Sequence, residues 1–292
     1  MNRSGKFLLA AAFSLLVGVG VAGGTELPVA AQSPTGALVV VGGGGTPPEV
    51  VARAIELAGG PDAVIVVLPQ ASATEAAGAS TVAMFREAGA RNVANWRFVG
   101  SPGTEGLPGP FPSVEETAAA IADADLVWFP GGAQGRLKRA LDDAGLTDLI
   151  RLRHREGIVI GGTSAGAAVL AEAMITGDEY DLEGVTAAST DIAEGLALWP
   201  DALIDQHFLK RQRNNRLLSA VIDHPQLIGV GIDERTAVIV RDGELEVMGD
   251  SSVIVFDARD AEVVAVSAGA PTAATGIRTD VLIRGMSLRY RR

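Results

Sequence analysis

The stretch Val159–Leu170, "VIGGTSAGAAVL", decides how this chain is read. An apolar run enters two glycines, a serine follows between small residues, and an apolar helix-like segment closes it. Gly162 to Gly166 spell G-x-S-x-G, the pattern of a nucleophile elbow, which sets a serine on a sharp strand-to-helix turn. Small neighbours permit that turn and let a substrate carbonyl come close to the main chain. The same residues also fit a serine that merely caps the next helix. A base and an orienting acid elsewhere in the chain would decide between the two.

Outward from this stretch, runs of strand length recur: "ALVVV" (Ala37–Val41), "AVIVVLP" (Ala63–Pro69), "DLVWFP" (Asp125–Pro130) and "LIGVGID" (Leu227–Asp233). Helical segments lie between them. One helix starts at the prolines Pro47 and Pro48, and another opens on an S-x-x-E capping box, Ser113 to Glu116. Apolar strands alternating with helices imply an α/β fold, a mostly parallel central sheet flanked by helices. The last third changes character. "TAVIVRDGELEVMG" alternates around Asp242-Gly243, a hairpin signal, and "SVIVFD" and "DVLIRG" add extended segments, so an antiparallel C-terminal region is expected. Nothing between Gln32 and Arg292 reads as a linker, which implies a single domain. The run Gly42–Gly45 lacks a Walker lysine and puts Thr46 where a dinucleotide fingerprint needs glycine, so it reads as one wall of a cleft.

Composition narrows the function. The chain has 292 residues, 48% hydrophobic, and a formal net charge of −11, which speaks against a nucleic-acid partner. Its cysteine count is 0, which excludes a thiol nucleophile and thiolate metal sites, and its 3 histidines make a His-rich metal site improbable. No metal or organic cofactor is expected. Arg3 and Lys6 precede the uncharged run Phe7–Val21, and "PVAAQ" follows, the layout of a secretory signal peptide cut after Ala31. A retained anchor is the alternative. Export to the periplasm or the outside, with no stable membrane association after removal of the leader, is expected. A homodimer is left open.

A base for Ser164 is offered by "DQHFLKRQRNNR", Asp205–Arg216, where His207 follows a strand-like segment. Asp233 and Glu234 stand just after another buried strand, and strand ends are where α/β clefts collect functional groups. His154, at a charged helix end, and His224, before Pro225, read as structural or solvated. Lys210, Arg211, Arg213 and Arg216 place four positive charges within seven residues, with no acid among them. Positive charge is misplaced at a helix start, and binding of carboxylates by guanidinium forks would explain it.

Together, "FPGGAQGRL" (Phe129–Leu137), "GGTSAGA" (Gly161–Ala167), "DQHFLKRQRNNR" and "GIDERTA" (Gly231–Ala237) resemble the cyanophycinases and the related aspartyl dipeptidase, peptidase E. The resemblance implies a glutamine-amidotransferase-like α/β fold and a serine exopeptidase. It makes Ser164 the nucleophile, His207 the base and Glu234 the acid. It puts Gln134, Asp205, Gln206, Arg211, Arg213 and Arg216 in the substrate pocket. The implied substrate is cyanophycin, a polyaspartate backbone with arginine on each side-chain carboxyl, cut to β-aspartyl-arginine dipeptides. Ala165 N–H, just after the nucleophile, and Gly132, in the "PGG" turn, are the expected oxyanion donors. An α/β-hydrolase esterase shares G-x-S-x-G but orders its triad serine, acid, histidine, whereas here the better acid follows His207. A non-catalytic exported binding protein is the reading from another class.

Overall fold

Five short parallel strands make the first sheet; four are apolar and largely buried between helices on both faces, while the fifth, at the edge, buries only Val93. The computed structural model describes residues 35–74, 76–101, 104, 109–177 and 183–290. The leader expected over Met1–Ala31 lies outside the described residues. The strands are β1 (Leu38–Val41), β2 (Val64–Val67), β3 (Asn92–Asn95), β4 (Leu126–Phe129) and β5 (Val159–Thr163). They run parallel in the order β1-β5-β4-β2-β3. Their crossovers carry α1 (Pro48–Leu57), α2 (Ala76–Glu87), α3 (Val114–Ala122) and the pair α4 (Gln134–Asp143) and α5 (Thr147–Arg155).

Alternate residues of each strand serve different layers. Val39, Val41, Trp128 and Val159 pack with Val50, Val51, Ala54 and Ile55 of α1 and with Phe85 of α2. Val40, Val127, Phe129 and Ile160 join Ile121 of α3, Leu137 of α4 and Ile150 of α5 on the opposite face. Trp128 meets Phe85 edge-on, with ring centroids 5.2 Å apart. Gly161 lies under that indole, since a Cβ there would stand 2.5 Å from Trp128 Cζ3. Each of these large side chains removed from water contributes about 1.5–3 kcal/mol, so this double-sided burial carries the fold.

After β5 come α6 (Ala165–Ala168), β6 (Ala173–Ile175), β7 (Ile192–Glu194), β8 (Ala202–Gln206), α7 (Asn214–Asp223) and β9 (Ile228–Ile232). The rest is all strand: β10 (Thr236–Arg241), β11 (Glu244–Gly249), β12 (Ser252–Asp257), β13 (Glu262–Val264), β14 (Ala273–Thr275), β15 (Arg278–Ile283) and β16 (Ser287–Arg289). The hairpin expected at Asp242-Gly243 joins β10 to β11, and both turn residues have positive φ, 51° and 76°, as a type I′ turn requires. β10 lies antiparallel against β1, so this hairpin and β16 extend the parallel sheet to eight strands.

The antiparallel last third is therefore divided. β8, β9, β12 and β15 form a second sheet, in which β8 and β9 pair in parallel and the others antiparallel. One face of this sheet adds Val230, Ile232, Val253 and Val255 to the core it shares with the first sheet. The other face holds Leu217, Ala220 and Val221 of α7 around Leu203, Phe208 and Phe256. The carboxyl ends of β5, β8 and β9 are thereby brought to one place.

The capping box at the start of α3 is formed: Ser113 Oγ accepts from Glu116 N at 3.1 Å, and Ser113 N donates to Glu116 Oε2 at 2.7 Å. Ser113→Ala should lower stability by about 1 kcal/mol in urea unfolding, with catalysis unchanged. An unchanged midpoint would show that the cap contributes nothing here.

Candidate active site

Ser164 sits at the carboxyl end of β5 with φ 55° and ψ −118°, a main-chain conformation that L-residues seldom adopt. Strain of this kind is worth about 1–3 kcal/mol and persists only where neighbours enforce it. Here glycines enforce it. A Cβ on Gly162 would stand 2.2 Å from Gly166 O, and one on Gly166 would stand 2.0 Å from Phe129 O. The elbow can close only with bare Cα atoms at both positions. The helix expected after it is the single turn Ala165–Ala168, and Ser164 makes no side-chain cap on it.

Its hydroxyl is engaged elsewhere. Ser164 Oγ lies 2.9 Å from His207 Nε2, and His207 Nδ1 lies 2.7 Å from Glu234 Oε1. His207 follows β8 and Glu234 follows β9, so three strand ends from two sheets supply one continuous hydrogen-bonded chain. His207 also has positive φ, 51°. Burial pushes its pKa down, its hydrogen bond to Glu234 opposes that, and the Arg211 charge lowers it further. Of the two acids that follow β9, Asp233 has a different role: it accepts Lys210 N at 2.9 Å and Ser251 Oγ at 2.7 Å. It thus fastens the turn after His207.

The Pro130–Gly132 turn lies alongside Ser164. A Cβ on Gly131 would be 3.3 Å from Ser164 Cβ. Among the described residues, neither Gly132 N–H nor Ala165 N–H is taken by a hydrogen-bond acceptor. The turn is braced by a loop that sequence reasoning did not single out. Ala71 O accepts both Ala133 N, at 2.9 Å, and Arg136 Nη1, at 3.0 Å. Arg97, buried, donates to Ser72 O and Thr74 O at 3.0 and 2.9 Å. Arg136 stands inside "FPGGAQGRL", so its place in that motif was the available signal.

The expected pocket residues divide into two groups. Gln206 Oε1 accepts Ser164 Oγ at 3.4 Å, and Gln134, at the start of α4, donates from Nε2 to Ile175 O and Thr176 O at 3.0 and 2.5 Å. Arg211 is exposed. Asp205, Arg213 and Arg216 are buried. Arg216 grips Asp205 with a two-pronged fork, Nε to Oδ2 at 2.7 Å and Nη2 to Oδ1 at 2.6 Å. Arg213 donates to Gln206 O at 2.6 Å and stands 3.7 Å from Asp205. Two of the three arginines thus have an internal carboxylate, where the sequence shows none among them. The acid that balances them sits on β8, upstream of the cluster. Burial raises the Asp205 pKa while the Arg213 charge lowers it, and burial brings Arg216 down to about 10.

Of the two readings of His154, structural or solvated, burial favours the first. His154 is 6% exposed, packed with Nδ1 3.4 Å from Ile158 O, and burial lowers its pKa. His224 caps the end of α7. Among the described residues no group of three His, Asp or Glu side chains could hold a metal ion.

The pattern of peptidase family S51 matches residues 38–248. The chain belongs to this family. It is 42% identical over 208 residues to a cyanophycinase of Synechococcus elongatus, covering 70% of this chain and 61% of that protein. It therefore spans about three-fifths of that relative's length. A cyanophycinase of Geminocystis herdmanii is 36% identical over 212 residues, covering 72% of this chain and 75% of the relative. Among solved structures, a peptidase from an acI-B1 actinobacterium superposes with a TM-score of 0.62 at 21% identity, covering 89% of this chain and 98% of that one. That likeness concerns the fold.

Removing one partner of a buried ion pair leaves an uncompensated charge. Arg216→Ala should therefore lower stability by about 3–5 kcal/mol in denaturant unfolding. A loss below about 1 kcal/mol would show that the pair does not frame the site.

Proposed function

We propose that this S51 family member is a serine peptidase that hydrolyses cyanophycin to β-aspartyl-arginine dipeptides. The observation that carries the reading is the unbroken chain from Ser164 Oγ through His207 to Glu234 Oε1, with contacts of 2.9 and 2.7 Å. Nδ1–H of His207 donates to Glu234, which leaves Nε2 as an acceptor for the serine proton. Ser164 Oγ attacks the scissile carbonyl, and His207 passes the proton to the departing amine as the C–N bond breaks. Water then releases the acyl group, with His207 again as base. Ala165 N–H and Gly132 N–H are the proposed donors to the oxyanion.

Within the pocket, Gln134, Gln206 and Arg211 are the groups proposed to meet the substrate. The Asp205–Arg216 pair and Arg213 give the pocket its frame. In cyanophycin the aspartyl side-chain carboxyls are amidated, so each unit keeps the α-carboxylate and the guanidinium of its arginine. The exposed Arg211 suits that carboxylate, and the net charge of −11 suits the guanidinium groups. An aspartyl dipeptidase would use the same chemistry on short substrates. Offering cyanophycin, β-aspartyl-arginine and α-aspartyl dipeptides side by side separates the two. β-Aspartyl-arginine should accumulate from cyanophycin, and cleavage of α-aspartyl dipeptides alone would overturn the proposal. The leader Met1–Ala31 is proposed to direct export, which N-terminal sequencing of the exported protein would test.

Ser164→Ala should lower kcat by about 10⁴–10⁶-fold, and adding His207→Ala should lower it little further, because such residues act as a unit. A single mutant retaining a tenth of the turnover would contradict the assignment.

The pH profile has a definite sign. His207 works as a base in its neutral form, and burial holds its pKa below 6.5. Neutral imidazole then persists into mildly acidic solution, so the acid limb of kcat/KM should fall below pH 6.5. Arg211→Gln removes a charge that disfavours protonation, so the limb should move to higher pH. A limb that stays in place would mean that Arg211 does not act on His207.

A further inference from the structure

The run Gly42–Gly45 carries no phosphate-binding fingerprint, yet it lies at the junction of the three strand ends. Three successive carbonyls, those of Val41 and of the first two glycines, each take an amide from a different segment of the site. Val41 O accepts Ser164 N at 3.0 Å, Gly42 O accepts His207 N at 2.7 Å, and Gly43 O accepts Arg235 N, next to Glu234, at 2.8 Å. Gly42 N in turn donates to Thr236 O at 2.9 Å. Because β5 belongs to one sheet while β8 and β9 belong to the other, no sheet ladder ties all three segments together. The loop after β1 does.

Side-chain packing repeats the pattern. A Cβ on Gly43 would stand 2.4 Å from Cε1 and 2.5 Å from Nε2 of His207. One on Gly44 would stand 2.6 Å from Cβ and 2.7 Å from Oε2 of Glu234. The imidazole therefore rests on one bare Cα and the carboxylate on the next. Gly45 supplies the contrast. Its φ is 100°, the same as that of Gly43, but a Cβ there would meet only Arg235 Nη1, at 3.8 Å.

We propose that Gly43 and Gly44 are positioning residues for the base and acid, setting His207 and Glu234 in register with Ser164. The inference rests on the triad reading above and adds to it the part of the chain that aligns the triad. The backbone cost of alanine at φ 100° is common to Gly43 and Gly45, so comparing the two variants isolates contact with His207.

The test compares Gly43→Ala with Gly45→Ala in steady-state hydrolysis and in labelling of Ser164 by a fluorophosphonate. Displacing a catalytic group by about 1 Å can cost about 100-fold, so kcat of Gly43→Ala should fall by about that factor with KM within about threefold. Gly45→Ala should keep kcat within about threefold of the unmutated chain. In a His207→Ala background, Gly43→Ala should change the residual rate little, whereas general damage to the fold would lower it again. If Gly43→Ala does not fold, Gly44→Ala decides through its pH profile. Displaced from Nδ1, Glu234 no longer raises the His207 pKa, so the acid limb should move to lower pH as kcat falls. Equal kcat for Gly43→Ala and Gly45→Ala, or an unmoved limb in Gly44→Ala, would overturn the positioning role. An unmutated chain that the probe does not label would instead overturn the nucleophile reading on which it rests.

Discussion

The hydrogen bond between Ser164 Oγ and His207 Nε2, 2.9 Å long, joins the end of a strand in one sheet to the end of a strand in another. Neither sheet alone can make it. The packing between the sheets must hold β8 and β9 against β5 to within a few tenths of an ångström, since a hydrogen bond weakens steeply outside its range. Val230, Ile232, Val253 and Val255 on one side, and Val40, Ile160 and Val238 on the other, are all buried in a common core. Close packing makes such an interface stiff, which is what a group positioned for chemistry needs.

Charge is arranged around that bond as deliberately as apolar surface. Beneath Gln206 and His207, Asp205 is buried with Arg216 and Arg213, so the turn carrying His207 is anchored from below by a guanidinium fork. Asp233 anchors it from the other end through Lys210 N. Such a pair contributes little net stability against an apolar substitute, but losing one partner is expensive. Its value lies in fixing where the neighbouring side chains point. The exposed Arg211 and the buried Arg213 both lower the pKa of His207 through space, Arg211 more strongly.

Much of this was legible in the sequence because the signals were local. Runs such as "LVVV" and "LVWF" can be nothing but buried strand in a chain with turns this close, and Asp242-Gly243 and Ser113–Glu116 each state their geometry in a few residues. Ser164, His207 and the pair Asp233 and Glu234 could be noticed because they stand near the ends of apolar runs, and the resemblance of "GIDERTA" to the family singled out Glu234. The rest depended on long-range pairing. Nothing in "TAVIVR" and "SVIVFD" says that the first joins β1 and the second joins β9 in the other sheet, since both are short alternating strands. Nor does the spacing of Asp205, Arg213 and Arg216 reveal that they pair, because the turn Phe208–Gln212 that folds them together is set by tertiary contacts. The arginines around His154 left open whether it is solvated, and α5 turns that face inward.

The central claim is that one serine, strained at the end of β5, is the nucleophile. It is tested most directly by peptide mapping after reaction with one equivalent of a fluorophosphonate. The account predicts a single phosphonyl adduct on the peptide containing Gly161–Ala167, located at Ser164 and abolished by His207→Ala. An adduct on any other serine, or labelling of Ser164 that does not need His207, would contradict it.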